Sequence, residues 1–414
     1  MKNYLLSLLM ACSLTATAQE STDPNMGRAE KMFEFLLDNK ADSLYENLSA
    51  QVKPMVQKQQ FEGILNKVEP QVGKYQKHGA WEVQQVMGQK CYVSMVQFEK
   101  TELGALVIFD AAGKMLGIQL VPAAAVKKKV APADEAALAG DIFNEMADTL
   151  VTGDIHLPAT ILMPIDADDA PIVVMVHGSG ALDRDETIYA NKPFRDIAEG
   201  LARKGIATLR YDKRTYVYSQ PVTTLDDETV LDALSAIRLA HQYSTRVYLL
   251  GHSLGAMLAP IIAERTAEPL AGVIMMAAPA RDMETVVREQ FDYLLPSGAS
   301  LAFKEQQIDN LRQRSPHYLQ PQGQTDTARR LTLPMLILQG ERDYQVTMQD
   351  FCLWQQVLEG KTNIVYHSYP RLNHPFMEGD GKSTPMEYQM KGHVASYVID
   401  DISSFIHQIE KHDK

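Results

Sequence analysis

The stretch Val247-Tyr248-Leu249-Leu250-Gly251-His252-Ser253-Leu254-Gly255-Ala256-Met257-Leu258-Ala259-Pro260-Ile261-Ile262 decides the fold. Residues 247–250 are an apolar run of strand type. From 257 on, Met257, Leu258, Ile261 and Ile262 recur at helical spacing and share one face. Between the two, Ser253 is pinched by Gly251 and Gly255. A turn this tight needs neighbours at minus two and plus two without bulky side chains, and it holds the serine in a strained conformation. The strain pushes the hydroxyl out at the carboxyl edge of the sheet. It also sets the Leu254 N–H and the helix N-terminus beside any negative charge that develops there. A chance G-x-S-x-G pentapeptide would lack the strand and the helix. Here both flanks are present, so Ser253 is read as a nucleophile.

Working outward, the chain has 414 residues, which predicts two domains. Its hydrophobic content of 45% and charged content of 22% are those of a globular protein. The formal charge of −12, without a basic tract, argues against nucleic acid as a partner. No run beyond the N-terminus is long enough to span a bilayer. Residues 1–18 read as a signal peptide, with Lys2, an apolar centre at 5–11 and Ala16-Thr17-Ala18 as the cleavage site. The protein is therefore expected to be exported, periplasmic or secreted. A lipid anchor on Cys12 is the competing reading, which Met10 fits poorly. Cys91 and Cys352 fall in different predicted domains and are expected to be two buried free thiols.

Residues 19–121 are predicted to form a small α+β domain. Met32, Phe33, Leu36 and Leu37, then Phe61, Ile64 and Leu65, follow helical spacing. Short runs rich in Val, Ile, Tyr and Phe at 80–87, 91–98, 103–109 and 115–121 read as a strand meander. His78 stands alone and is read as a surface or loop residue. Residues 122–137, with Pro122, Pro132 and Lys127-Lys128-Lys129, read as an extended linker. From 138 to 414 strands and helices alternate, the signature of a parallel sheet covered on both faces. Strands are predicted at 155–163, 172–176, 206–211, 272–277, 335–338 and 363–366, with a closing helix at 394–409. Asn191 is read as the cap of a helix facing inward through Phe194, Ile197, Ala198 and Leu201. Thr224 and Asp227 form a capping box for the next helix, whose stripe is Val230, Leu234 and Ile237.

This order resembles the α/β-hydrolase superfamily over roughly 140–414. The motifs that carry the resemblance are His177-Gly178-Ser179-Gly180, Gly251-His252-Ser253-Leu254-Gly255, Gly340-Glu341-Arg342-Asp343 and Leu372-Asn373-His374. The stretches 177–186 and Arg210-Tyr211-Asp212-Lys213-Arg214 look like those of exported bacterial esterases in the serine-aminopeptidase and dienelactone-hydrolase neighbourhood. In some of these a helix-plus-sheet domain precedes the hydrolase. Such a sheet implies the order Ser, then Asp or Glu, then His. A serine hydroxyl needs an imidazole base, and the base needs a third group to orient it. Asp343 lies past one late strand and His374 past the last, so the expected triad is Ser253, Asp343 and His374. Glu341 is the rival acid. His367, in or at the end of a strand, and His393, near the last helix, are the rival bases. The oxyanion hole is expected from the backbone N–H groups of Ser179 and Leu254. The run Asp183-Arg184-Asp185-Glu186 is read as local ion pairing that shapes a loop, and so are Asp212, Lys213 and Arg214.

The expected fold is thus an α/β-hydrolase sheet with helices on both faces and a small helical cap, at about 279–333. Two short cap helices are expected, one with the apolar stripe Met283, Val287, Phe291 and Leu294 and a second begun by Ile308 and Leu311, separated by a turn at Pro296-Ser297-Gly298. The expected function is a short-acyl carboxylesterase acting on a small-molecule ester through an acyl-enzyme. No cofactor and no metal are expected, since no zinc-ligand pattern or cofactor-binding glycine motif is present. A serine peptidase would use the same triad, with Asp282, Glu284, Glu289 and Asp292 as candidates to grip an amine. Their spacing instead reads as an exposed helix face. A non-catalytic binding protein on the same scaffold is the third class, which an intact triad opposes.

Overall fold

The computed structural model describes residues 23–50, 52–53, 58, 61–65, 69, 72–86, 89–110, 112–123, 143–165, 170–218, 222–294, 301–320 and 322–412. The expected signal peptide and most of the expected linker lie outside them. The chain divides into two compact units, 1–132 and 133–414.

In the first unit, helices α1 (Pro24–Leu37) and α2 (Ala41–Glu46) precede strands β1 (Tyr75–His78), β2 (Glu82–Val86), β3 (Gln89–Phe98), β4 (Glu102–Phe109) and β5 (Met115–Pro122). The long strand β3 pairs antiparallel with β4 and with both β1 and β2, and β5 closes the order β1-β3-β4-β5. Ala29, Met32, Phe33 and Leu36 of α1 lie on the face formed by Val96, Phe98, Ala105 and Val107. β1 was not expected, because Tyr75-Gln76-Lys77-His78 has no apolar alternation. His78 ends that strand and is half-buried, its ring edge-on to Phe33 at 5.7 Å, so it is not a loop residue.

The second unit holds an eight-stranded sheet in the order β13-β12-β11-β10-β8-β9-β7-β6. Its strands are β6 (Phe143–Thr152), β7 (Ile155–Pro164), β8 (Ile172–Val176), β9 (Ala207–Tyr211), β10 (Val247–His252), β11 (Gly272–Met276), β12 (Met335–Gly340) and β13 (Ile364–Tyr369). β8 to β13 run parallel, and β6 and β7 are antiparallel at one edge. The central strands are buried on both faces, which is why they read as unbroken apolar runs. Alternation sorts their side chains into two cores. Ile172, Val174, Val247, Leu249, Met335 and Ile337 face one, and Val173, Met175, Tyr248, Leu250, Leu336 and Leu338 face the other. The second core is covered by α3 (Pro193–Ala202) through Phe194, Ile197 and Leu201, and by the closing helix through Val398, Ile402 and Ile406. The first is covered by α4 (Leu231–Ala240), α5 (Leu254–Arg265) and, further along the chain, the helix Met348–Val357.

The sequence expectation for α3 needs one correction. Asn191 does not cap it, since its N-cap is Lys192 without a side-chain bond. The Asn191 amide is buried and instead donates to the carbonyls of Tyr388 and Met390 and accepts from Gly392 N–H. Half of the Thr224 box is present: Thr224 Oγ1 accepts from Asp227 N–H at 3.0 Å, and the Asp227 carboxylate accepts from the Thr224 hydroxyl at 2.8 Å. Cys352 is also corrected, because it is exposed, while Cys91 is buried. Among the described residues, the insertion before β12 has four helical pieces where two were expected. These are α6 (Met283–Leu294), α7 (Leu301–Arg314), a 3-10 turn Pro316–Leu319 and α8 (Gln324–Arg330). The expected turn at 296–298 lies outside the described residues. After β12 come α9 (Met348–Val357) and α10 (Ser396–His412).

Candidate active site

Four segments converge at the carboxyl edge of the sheet: the turn after β8, the elbow between β10 and α5, and the loops after β12 and β13. Ser253 at the elbow has φ 53° and ψ −115°, a backbone region that side chains avoid. The flanking glycines are required by backbone contact. A Cβ on Gly251 would lie 2.3 Å from Gly255 O, and one on Gly255 would lie 2.2 Å from Val176 O. The turn after β8 touches the serine itself, since a Cβ on Gly178 would lie 3.3 Å from Ser253 Cβ.

That turn is held by buried side chains. Gly178 N–H donates to Glu186 Oε1 at 2.7 Å, and Gly178 O accepts from Lys213 Nζ at 2.9 Å. His177 lies between the rings of Phe194 and Tyr211, with Nε2 donating to Asp183 O at 3.0 Å. Burial pushes the His177 pKa down to about 4, against the pull of Glu186. The sign follows directly. A histidine that stays neutral when folded but charges when unfolded contributes stability above pH 6.5, which is lost as the pH falls toward 4. Between pH 7 and 4.5 this residue should account for about 2 to 3 kcal/mol of lost stability. Urea unfolding of His177→Gln should therefore show a flatter pH dependence across that window, and a slope equal to the native one would contradict the assignment.

Asp343 lies in the turn after β12 with its side chain fully buried. Its Oδ1 accepts from the N–H groups of Gln345 (2.7 Å) and Val346 (3.0 Å). Its Oδ2 accepts from His374 Nδ1 at 2.6 Å and from Gln339 Nε2 at 3.2 Å. With the proton on Nδ1, His374 Nε2 is left as an acceptor. The loop after β13 is anchored by Asn373, whose amide donates to Glu387 and accepts from Met377 N–H. Gly340 allows this loop to approach, because a Cβ there would lie 2.5 Å from Leu372 O. The rivals lie elsewhere. Glu341 accepts from Ser368 Oγ, His367 is half-exposed in β13 near Asp401, and His393 is 70% exposed beside Asp196.

Sequence reasoning missed a second buried pair. His252 Nε2 donates to His374 O at 3.0 Å, and its Nδ1 lies 3.0 Å from Glu186 Oε2. Burial disfavours a charged His252, but the Glu186 carboxylate outweighs it and raises the His252 pKa. Burial works against the Glu186 charge as well, yet the His252 cation keeps its pKa low. This pair ties the elbow, the turn after β8 and the His374 loop together. The run 183–186 is paired locally only in part, through Asp185 with Lys192 and Asp183 with Thr187, and it also reaches distant partners. Arg184 reaches Asp212, Asp185 pairs with buried Arg210, and Glu186 turns inward at φ 53°. The only hint in the sequence was a charge run directly after a glycine-rich turn. Among the described residues, no group of three or more His, Cys, Asp or Glu could hold a metal ion, and no helix is long and apolar enough to cross a membrane.

Comparison with known proteins places these features. Residues 171–300 match a family described as the alpha/beta hydrolase fold, and residues 29–118 match a family described as a protein of unknown function, DUF3887. Esterase EstD of Thermotoga maritima is 37% identical over 385 residues, covering 88% of this chain and 91% of that protein. Among solved structures, an esterase of Pyrococcus furiosus is similar with a TM-score of 0.45 at 16% identity, covering 64% of this chain and 91% of the other. A proline iminopeptidase of Mycobacterium smegmatis has a TM-score of 0.46 at 17% identity, covering 65% and 100%. By its long match to a full-length relative, its sheet order and its elbow, this chain belongs to the α/β-hydrolase superfamily, with an N-terminal accessory domain ahead of the hydrolase sheet.

Proposed function

We propose that this protein is a carboxylesterase in which Ser253, His374 and Asp343 form the catalytic triad. The observation that carries the reading is the 2.6 Å bond from His374 Nδ1 to a fully buried Asp343, beside a serine held at positive φ. Its relative EstD is named an esterase. In the proposed cycle Ser253 Oγ attacks the ester carbonyl carbon and passes its proton to His374 Nε2. The carbonyl oxygen becomes an oxyanion facing the N–H groups of Ser179 and Leu254. Collapse breaks the bond to the alcohol oxygen, which takes the proton from His374. Water then attacks the acyl-enzyme by the same route and frees Ser253. Asp343 keeps His374 in the right tautomer and stabilises its cation.

The peptidase reading loses its motivating feature, because the cap acids are engaged with cap cations. Glu289 pairs with Arg281, Glu284 with Arg288 and Arg312, and Asp292 with Lys304, while Asp282 caps Thr285. The cap is pinned to the loops after β12 and β13, with Gln290 donating to Gln345 O and Tyr293 to Ser383 O. On α6 the fully buried side chain is Val286, while Met283, Val287, Phe291 and Leu294 of the expected stripe are half-buried, Met283 against the main core and Leu294 against the Tyr344 cluster. A cap this short leaves a small acyl pocket. Rates on p-nitrophenyl esters should peak at acyl chains of about two to six carbons and fall for long chains, and aminoacyl anilides should be poor substrates. Phe291→Ala should move the optimum toward longer acyl groups. A peak at long-chain esters would contradict the small pocket, and an unmoved profile would remove Phe291 from its wall.

A further inference from the structure

The peptide joining Gly178 to Ser179 is clamped from behind by a buried charge. Lys213 follows β9, its side chain is 2% exposed, and its ammonium donates to Gly178 O at 2.9 Å and to Glu228 Oε1 at 2.6 Å. The preceding N–H, that of Gly178, is already given to Glu186 and is not free for a substrate. In a trans peptide the carbonyl and the next N–H lie in one plane and point in opposite directions. Fixing Gly178 O on Lys213 therefore turns the Ser179 N–H away from the lysine. Gly178 itself packs against Ser253, and Ser179 N–H donates to no protein acceptor among the described residues. A cationic donor on the carbonyl also polarises the peptide, which strengthens the N–H as a donor.

Lys213 is held in turn. Glu228 accepts from it, from Tyr318 OH at 2.5 Å and from His317 Nε2 at 3.3 Å, the last two on the 3-10 turn of the cap insertion. Burial alone would raise the Glu228 pKa, but Lys213 and the bonds from His317 and Tyr318 hold it at about 2. Glu228 is thus a carboxylate at neutral pH, able to accept from all three donors.

We infer that Lys213 is the positioning residue of the oxyanion hole: by holding Gly178 O it aims the Ser179 N–H at the developing oxyanion, and Glu228 links that aim to the seating of the cap. The inference rests on the assignment of Ser179 and Ser253 proposed above. Lys213 touches no substrate atom in this account, so it acts only through the peptide it holds.

The test compares wild type, Lys213→Met and the double variant Lys213→Met/Glu228→Gln on p-nitrophenyl acetate, alongside urea unfolding and binding of a butylboronic acid. Boronates form a tetrahedral adduct on a serine and place one oxygen where the oxyanion forms. Lys213→Met alone strands a buried carboxylate and risks unfolding, whereas the double variant removes both charges at similar volume. For the folded double variant, kcat should fall roughly tenfold to a hundredfold with KM changed less than about threefold. Boronate affinity should weaken by a similar factor. A merely structural ion pair would shift the urea midpoint and leave kcat and boronate binding intact below it. A folded double variant with kcat within about twofold of wild type would overturn the inference. Fluorophosphonate labelling of wild type in the same series keeps the two levels apart. Labelling at Ser253 with an unaffected double variant sinks the lysine's role alone, and a wild type that neither labels at Ser253 nor cleaves the ester sinks both.

Discussion

Ser253→Ala is expected to lower kcat for ester hydrolysis by about four to six orders of magnitude, with KM changed little. A factor of 10⁵ corresponds to about 7 kcal/mol of transition-state stabilisation. The residual rate would come from binding and from the two backbone donors, which the substitution leaves in place. His374→Ala should be about as damaging as Ser253→Ala, and the double variant hardly worse, because the groups act as one unit. Asp343→Asn should be milder, near 10⁴, since an amide in that position can favour the wrong tautomer of His374. Three donors now converge on the Asp343 carboxylate besides His374, namely Gln345 N–H, Val346 N–H and Gln339 Nε2. An asparagine cannot accept from all of them through one amide. Steady-state kinetics on p-nitrophenyl acetate checks the series. Additive losses, or a His374→Ala variant near wild type, would contradict the triad.

The second large effect should come from a single methyl group. Gly255→Ala places a Cβ 2.2 Å from Val176 O, at the end of a central strand, and 2.7 Å from His177 O, in the turn that follows it. No flexible side chain can yield. Either β8 and its turn move away from the elbow, or the elbow opens. Overpacking in a core costs about 1 to 3 kcal/mol where neighbours can shift, and more where they are backbone. The strand ends in the turn that carries Ser179, so a variant that folds should also lose roughly a hundredfold or more in kcat as the oxyanion donors separate. Urea unfolding and kcat together read this out. Native stability and native kcat in Gly255→Ala would show that the elbow is looser than the backbone contacts imply.

The elbow was legible because its signals are local. Two glycines, a strand run and a helix run fall within sixteen positions, and the structure gives each glycine a backbone neighbour that explains it. The sheet was legible for the same reason, through apolar runs that both cores require. Misreadings arose where a polar side chain serves a distant partner. Asn191 sits where a cap belongs, but its amide bonds to residues about two hundred positions later. Lys213 reads as part of a locally ion-paired loop, whereas its partner is Glu228, fifteen positions on, which buries it. Glu186 and His252 read as a charge run and as the variable position of a motif. Only the parallel pairing of β8 with β10, which sets the turn after β8 beside the elbow, brings them to 3.0 Å. Composition cannot tell a buried ion pair from two exposed charges, because burial belongs to the fold. In the cap, the stripe Met283, Val287, Phe291 and Leu294 is only half-buried, and the one fully buried side chain of α6 is Val286 beside it.

The central claim is that Ser253 is the nucleophile of an ester hydrolase, and covalent trapping tests it most directly. The purified protein is treated with a fluorophosphonate, digested, and the modified peptide sequenced by mass spectrometry. The account predicts one adduct per chain, on Ser253, formed slowly or not at all in His374→Ala and absent in Ser253→Ala. An adduct on another residue, or labelling that persists in Ser253→Ala, would contradict it.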